Sequence, residues 1–197
     1  RNISFSDLEK LQKNCLDVVS HSSRIGFLLV SEPMPTFTHG KSAATSDLLW
    51  SQAQLTEKKT QVYHVSRGGQ WTYHGPGQVV LYPIARLSDL GLHSKAARAF
   101  IGTIAGSVLG FLNSIGVVAE IKTRPYGIYV SNQKLVSFGV NLHDGISSHG
   151  LALYLTDQSP YFEGINPCGT IGQESTSLAN LGIRLTWMNT AVEIVEY

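Results

Sequence analysis

Leu135 to Thr156 reads LVSFGVNLHDGISSHGLALYLT. Two apolar-rich runs, Leu135 to Leu142 and Ile146 to Thr156, flank Asp144-Gly145, a strong short-range signal for a tight hairpin turn. Just upstream, Val117 to Lys122 and Gly127 to Ser131 also read as strands, with Asn132-Gln133 as a weaker turn before Lys134. The centre of the chain is therefore built from hairpins, not from alternating strand–helix–strand units.

Working outward, Ser6-Asp7-Leu8-Glu9 has the form of a capping box that opens a helix. Leu8, Leu11, Cys15 and Val18 follow at helical spacing, which makes Cys15 a small core residue. Arg24 to Glu32 suits a buried strand that Pro33 and Pro35 end, and Thr36 to Lys41 reads as a loop. A short helix fits Ser46 to Lys59, and strands fit Gln61 to Ser66 and Val79 to Ala85. Ser94 can cap a helix running to about Ser114, apolar nearly all round and hence expected to be buried, with Gly116 as its stop. Asp157 to Ser175 is loop-like, and Thr186 to Tyr197 closes the chain as a helix. Helices around a hairpin-rich centre predict an α+β fold: a central mixed or antiparallel sheet with flanking helices, in one domain over residues 1–197.

Composition narrows the function. Of the 197 residues 43% are hydrophobic and only 15% charged, which fits a chain with a substantial core and apolar grooves. The formal net charge is +1 and there is no basic stripe, which argues against nucleic-acid binding and against a polybasic membrane anchor. No apolar run reaches the roughly 18 residues of a membrane span. Two cysteines, Cys15 and Cys168, do not make a disulfide framework; a reducing compartment, the cytoplasm, is expected. The chain starts at Arg1 with no basic-then-apolar leader behind it, and is expected to be a trimmed sequence.

The chemistry-bearing signals are few. RGGQWTYHGPGQ, from Arg67 to Gln78, is dense in glycine, so its backbone can approach a ligand closely or offer N–H groups to an oxyanion. It meets neither the GxxxxGK[ST] nor the GxGxxG pattern. An ordinary pair of turns explains its composition as well. Cys168, between Pro167 and Gly169, is either a loop nucleophile or a structural thiol. As a nucleophile it needs a base or cation to act below its free pKa of about 8.5. Lys134 at a strand end is a solvated lysine unless burial or a neighbouring cation lowers its pKa. His74 and His149 read first as structural histidines. With no CxxC or HExxH, no metal and no cofactor is expected.

Taken together, the segments resemble one family. RGGQWTYHGPGQVVLYPI (Arg67 to Ile84), GIYVSNQKLVSFGV (Gly127 to Val140), SSHGLALYL (Ser147 to Leu155) and INPCG (Ile165 to Gly169) resemble, in order, the signature segments of lipoyl(octanoyl) transferases of the lipoate-protein ligase B type. Thr176-Ser177-Leu178 follows where the resemblance expects it, and PTFTHG (Pro35 to Gly40) resembles the family's access loop. The resemblance implies the α+β catalytic domain of biotin and lipoate protein ligases. It also implies transfer of an octanoyl group from octanoyl-acyl carrier protein to a lysine ε-amine on lipoyl domains of 2-oxoacid dehydrogenases and of the glycine cleavage H protein. In that scheme Cys168 carries the acyl group as a thioester, and Lys134 lowers the thiol pKa and acts as general base. Arg67, Gly68, Gly69, Gln70, Trp71, Thr72, Tyr73 and His74, with Ser137, Phe138, Gly139, Gly150, Leu151 and Ala152, would line the substrate site. Tyr154 departs from the Asn that the family usually has after HGLAL, which bears on acyl-pocket shape. An ATP-dependent lipoate or biotin ligase on the same fold, and a non-catalytic module binding carrier or lipoyl domains, are the competing readings.

Overall fold

A computed structural model of the chain describes residues 2–167 and 174–197. In chain order it contains α1 (Phe5–His21), β1 (Phe27–Ser31), β2 (Thr36–His39), α2 (Gln52–Glu57), β3 (Gln61–His64), β4 (Trp71–His74), β5 (Gln78–Ile84), α3 (Ala97–Ser114), β6 (Glu120–Thr123), β7 (Tyr126–Val130), β8 (Gln133–His143), β9 (Ile146–Tyr154), α4 (Ser159–Phe162) and α5 (Trp187–Glu193). Six strands form one antiparallel sheet in the order β1-β5-β9-β8-β7-β6; β3-β2-β4 form a second, smaller sheet. The α+β expectation holds.

The Asp144-Gly145 hairpin forms as the sequence predicts. Both residues have positive φ, 49° and 73°, as a type I′ turn requires. The turn fixes the β8–β9 register from His143↔Ile146 to Val136↔Leu153, so Gly139 lies opposite Gly150 and Ser137 opposite Ala152. One face of the large sheet, through Val79, Leu81, Leu151 and Leu153, packs on Val108, Phe111 and Leu112 of α3. Burying each such side chain contributes roughly 2 kcal/mol. The other face, through Val80, Tyr82, Ala152 and Tyr154, packs on Leu8 of α1.

Several expectations are corrected. Helix α1 starts before the Ser6 box: Ser4 is its cap, its side chain accepting from Asp7 N at 3.1 Å, and this lets Phe5 enter the core. The buried face of α1 is Phe5, Leu8, Gln12, Cys15 and Val19, whereas Leu11 and Val18 are exposed. Gln12 takes a core position because its Oε1 accepts a hydrogen bond from His149 N at 2.7 Å. Strand β1 lies on a sheet edge and exposes Leu28 rather than being buried. Residues read as the loop Thr36 to Lys41 instead form β2, the central strand of the small sheet, with Thr36, Phe37 and Thr38 buried. Their alternation of β-branched and aromatic residues suits a pleated surface on both faces.

Ser94 does not cap α3, whose N-cap is Ala96 without a side-chain bond. The outer face of α3 is open, because Gly102, Thr103 and Gly106 are exposed on it. The turn before Lys134 falls at Ser131-Asn132, both at positive φ. The loop-like stretch from Asp157 contains the short helix α4. Thr186 does cap α5, its side chain accepting from Asn189 N. Among the described residues no helix is long and apolar enough to cross a membrane.

Gly150 is required by close approach. A Cβ there would stand 2.0 Å from the carbonyl oxygen of Leu81 and 2.8 Å from Pro83 Cδ. Relief would need strand β5 to move away from β9. Gly150→Ala is therefore expected to destabilise the protein by about 3 kcal/mol, lowering the thermal midpoint by roughly 10 °C. A melt followed by circular dichroism checks this; a midpoint equal to wild type would show that the strands can part at no cost.

Candidate active site

A cavity of about 350 Å³ opens where the small sheet meets the face of β8 and β9. Its walls come from Arg67 to Thr72 and His74, from Lys134 and Ser137 to Val140, and from His149 to Ala152, with Tyr82, Ile101, Pro125 and Tyr126 completing it. The structure thus brings together thirteen of the fourteen substrate-site residues named from sequence, and Lys134 with them. Tyr73 is the exception. Strand alternation turns it away from Thr72 and His74 into an aromatic cluster, stacked on Tyr161 with ring centroids 4.2 Å apart and edge-on to Phe37. Cys168 lies outside the described residues.

The bend before β4 is held by Arg67. Its buried guanidinium donates from Nη2 to Thr38 O at 2.8 Å and to Thr38 Oγ1 at 2.9 Å, and from Nη1 to Gly68 O at 2.9 Å. These bonds tie the glycine-rich stretch to the central strand of the small sheet. The Trp71 indole donates to Ala44 O at 2.8 Å, which fixes the opposite end of the bend.

Lys134 reaches the cavity through a β-bulge. Strand β7 pairs Ile128 with Val136 but Tyr129 with Lys134, so β8 carries one extra residue, Leu135. In an unbroken strand, residues 134 and 137 would face opposite sides of the sheet. The bulge lets Lys134 and Ser137 line the same cavity, while Leu135 turns into the core. The Lys134 stem is buried, with Nζ 5.5 Å from the centre of the Tyr129 ring. The Tyr129 hydroxyl donates to Pro125 O at 3.0 Å and so fixes that ring. Gly127 makes room for the stem, since a Cβ there would stand 3.1 Å from Lys134 Cε.

Both ends of the segment that carries Cys168 meet this cavity. Pro167 bridges to Trp71, and Ser175 bridges to Lys134. Lys134 N donates to Glu174 O at 3.1 Å, and Thr176 N donates back to Lys134 O at 3.0 Å.

Charge around the cavity is one-sided. The side chains of Arg67 and Lys134 are buried beside it, and no Asp or Glu stands among its described lining. Burial, then the nearby Arg67 guanidinium, push His74 down to about 3 and His149 down to about 4. Both imidazoles are therefore neutral near pH 7. His149 sits in the left-handed region at φ 55°, packs edge-on against Tyr82 and lies 3.4 Å from Ser66 Oγ. An electropositive, partly apolar pocket of this kind favours a thiolate or an oxyanion over a neutral thiol or carbonyl. Among the described residues no group of three or more His, Cys, Asp or Glu could hold a metal ion.

Tyr82, Ile101, Pro125, Tyr126 and Val140 line the cavity without being among the residues named from sequence, although Tyr82 and Val140 fall within the family-like segments. They arrive through register, helix docking and the β6–β7 turn. For Tyr82 a further signal was its parity on β5 with Val80, which packs beside it.

An α+β frame with a concave, largely apolar cavity between two sheets defines a protein with a small-molecule-sized site. The chain belongs to the lipoyl protein ligase A/B catalytic domain family, which it matches over residues 9–196. It is 34% identical over 181 residues to an octanoyltransferase of Magnetococcus marinus, covering 92% of this chain and 81% of that protein. It is 38% identical over 152 residues to the mitochondrial octanoyltransferase LIP2 of Arabidopsis thaliana; that match takes in 77% of this chain but spans only 63% of the relative's length. Its fold is similar to that of lipoate-protein ligase A bound with ATP, with a TM-score of 0.75 at 10% identity, over 99% of this chain and 84% of the other.

The two depressed histidines make stability fall in acid. Above the ordinary histidine pKa of about 6.5 both are neutral, folded or unfolded, and contribute no pH dependence. As pH drops below that value the unfolded chain takes up protons that the folded chain refuses until about pH 4 for His149 and about pH 3 for His74. Unfolding free energy should therefore decline between pH 6.5 and 4, by at most about 2.7 kcal/mol per pH unit from the pair. His149→Gln removes one of the two protons and should roughly halve that component of the slope in urea melts; an unchanged slope would show that His149 protonates freely in the fold.

Proposed function

We propose that this chain is an octanoyltransferase acting through a covalent thioester on Cys168, within a single catalytic domain spanning residues 1–197. The observation that carries the reading is the anchoring of both flanks of Cys168 at one cavity: Pro167 on Trp71 and Ser175 on Lys134. Family membership and the octanoyltransferase relatives support the same conclusion.

The reaction has two halves. In the first, the Cys168 thiolate adds to the carbonyl carbon of octanoyl-acyl carrier protein. The new C–S bond forms, the carrier's C–S bond breaks, and the departing thiolate takes a proton from the Lys134 ammonium. In the second, the ε-amine of a lysine on a lipoyl domain adds to the octanoyl-Cys168 carbonyl. Lys134, now neutral, accepts the amine proton; the amide forms and the Cys168 thiolate leaves. Thioester exchange is close to neutral in free energy, and the step to the amide is downhill, so activation arrives with the substrate and ATP has no part.

The lipoyl domains of 2-oxoacid dehydrogenases and the glycine cleavage H protein are the acceptors we propose. A compartment that keeps Cys168 reduced is required, and the cytoplasm expected from sequence meets that need. The mitochondrial setting named for the Arabidopsis relative meets it equally. The fold's likeness to an ATP-bound ligase favours the rival of ATP-dependent ligation. Ligation of free octanoate with ATP, retained in Cys168→Ala, would establish that rival.

Intact mass spectrometry after mixing with octanoyl-acyl carrier protein tests the reading. Wild type should gain one octanoyl group that hydroxylamine removes, and Cys168→Ala should gain none. Lys134→Ala should slow overall transfer by about 10² to 10⁴. A wild-type chain that never carries the group contradicts the thioester route.

A further inference from the structure

We propose that Tyr154 is a positioning residue for acyl transfer: it holds the Ser137 hydroxyl so that Ser137 donates a hydrogen bond to the acyl carbonyl oxygen as negative charge develops there. The proposal rests on the thioester reading above.

Ser137 and Ala152 are directly opposed across β8 and β9, and both line the cavity. Tyr154 follows two positions along β9, on the same face of the sheet. Its ring is fully buried among Leu8, Val80 and Tyr82, against the Phe162 ring. Its hydroxyl lies 2.6 Å from Ser137 Oγ, a short O–H···O contact. The β-bulge at Leu135 puts Ser137 on the same cavity as Lys134.

The chemistry of the two hydroxyls sets the direction of the bond. A phenol, with a pKa of about 10, is a much stronger acid than an aliphatic alcohol and is the better donor. With the phenol donating, the Ser137 oxygen acts as acceptor, and its own hydrogen is left to turn into the cavity. Accepting one hydrogen bond polarises the O–H and strengthens the bond it donates. Pre-aimed donors of this sort act where charge appears in the transition state and need no reorganisation there. Tyr154 touches no substrate in this scheme; it works through Ser137.

Rapid-quench measurement of Cys168 acylation by octanoyl-acyl carrier protein, at saturating carrier, tests the arrangement. Tyr154→Phe keeps the ring and its packing; it should slow acylation about fivefold, with the carrier's KM unchanged and the thermal midpoint lowered by no more than about 4 °C for the lost hydrogen bond. Ser137→Ala should slow acylation about 10²-fold. The double variant should match Ser137→Ala within about twofold, since in this scheme Tyr154 acts on the carbonyl through Ser137. In a Ser137→Thr background, which keeps the hydroxyl, Tyr154→Phe should again cost about fivefold. Acylation of Tyr154→Phe at the wild-type rate overturns the inference. So does a double variant whose losses multiply, because that would make the two residues independent. A wild-type protein that forms no adduct overturns the thioester reading and this inference with it. An adduct at equal rates in wild type and Tyr154→Phe overturns only the inference.

Discussion

The buried guanidinium of Arg67 joins the two sheets, and the candidate site depends on that junction. It is bonded to Thr38 in the small sheet. Its stem lies against Gly139 in the large one, where a Cβ would come within 2.9 Å of Arg67 Cδ. A charge taken out of water is costly unless its donors are met, so the bend that carries Arg67 has little freedom to drift from the central strand. The cavity walls follow from this constraint. The glycine-rich stretch is held over Gly139 and Ser137, and the gap between them is the cavity.

The same cation shapes the electrostatics. Together with burial it keeps His74 and His149 neutral, so the basic side chains that line the cavity are those of Arg67 and Lys134. Such a pocket stabilises a thiolate in the resting state and an oxyanion during transfer, through one fixed field. The hydroxyl pair of Ser137 and Tyr154 lies at that cavity, and the bulge places Lys134 on the same wall.

Much of the fold was legible in local sequence because it rests on local rules. Asp144-Gly145 specified a type I′ hairpin, and once formed it set the β8–β9 register without further information. What the sequence hid were features decided by distant partners. PTFTHG reads as a loop after two prolines, yet it becomes a central strand because β3 and β4 both pair with it. Gln12 is buried because the left-handed backbone at His149 presents an N–H that Gln12 Oε1 accepts. Tyr73 sat inside a segment of site residues, and strand alternation sent it to the core. The Leu135 bulge has no local signature at all, and it is what puts Lys134 and Ser137 on one cavity. The resemblance supplied Lys134 and Cys168 as a pair; composition and spacing had left each an open choice.

The central claim is that Lys134 and Cys168 act as a pair in one cavity, and thiol reactivity reports on that most directly. Cys15 is buried, and burial raises its pKa, so alkylation in the native protein reads Cys168. The pH dependence of iodoacetamide alkylation should be measured for wild type and for Lys134→Met, which keeps an unbranched stem one atom shorter and removes the amine. The pairing predicts that wild-type Cys168 titrates well below the ordinary thiol value of about 8.5 and that Lys134→Met shifts the profile upward by at least about one pH unit. Superimposable profiles for the two proteins would contradict it.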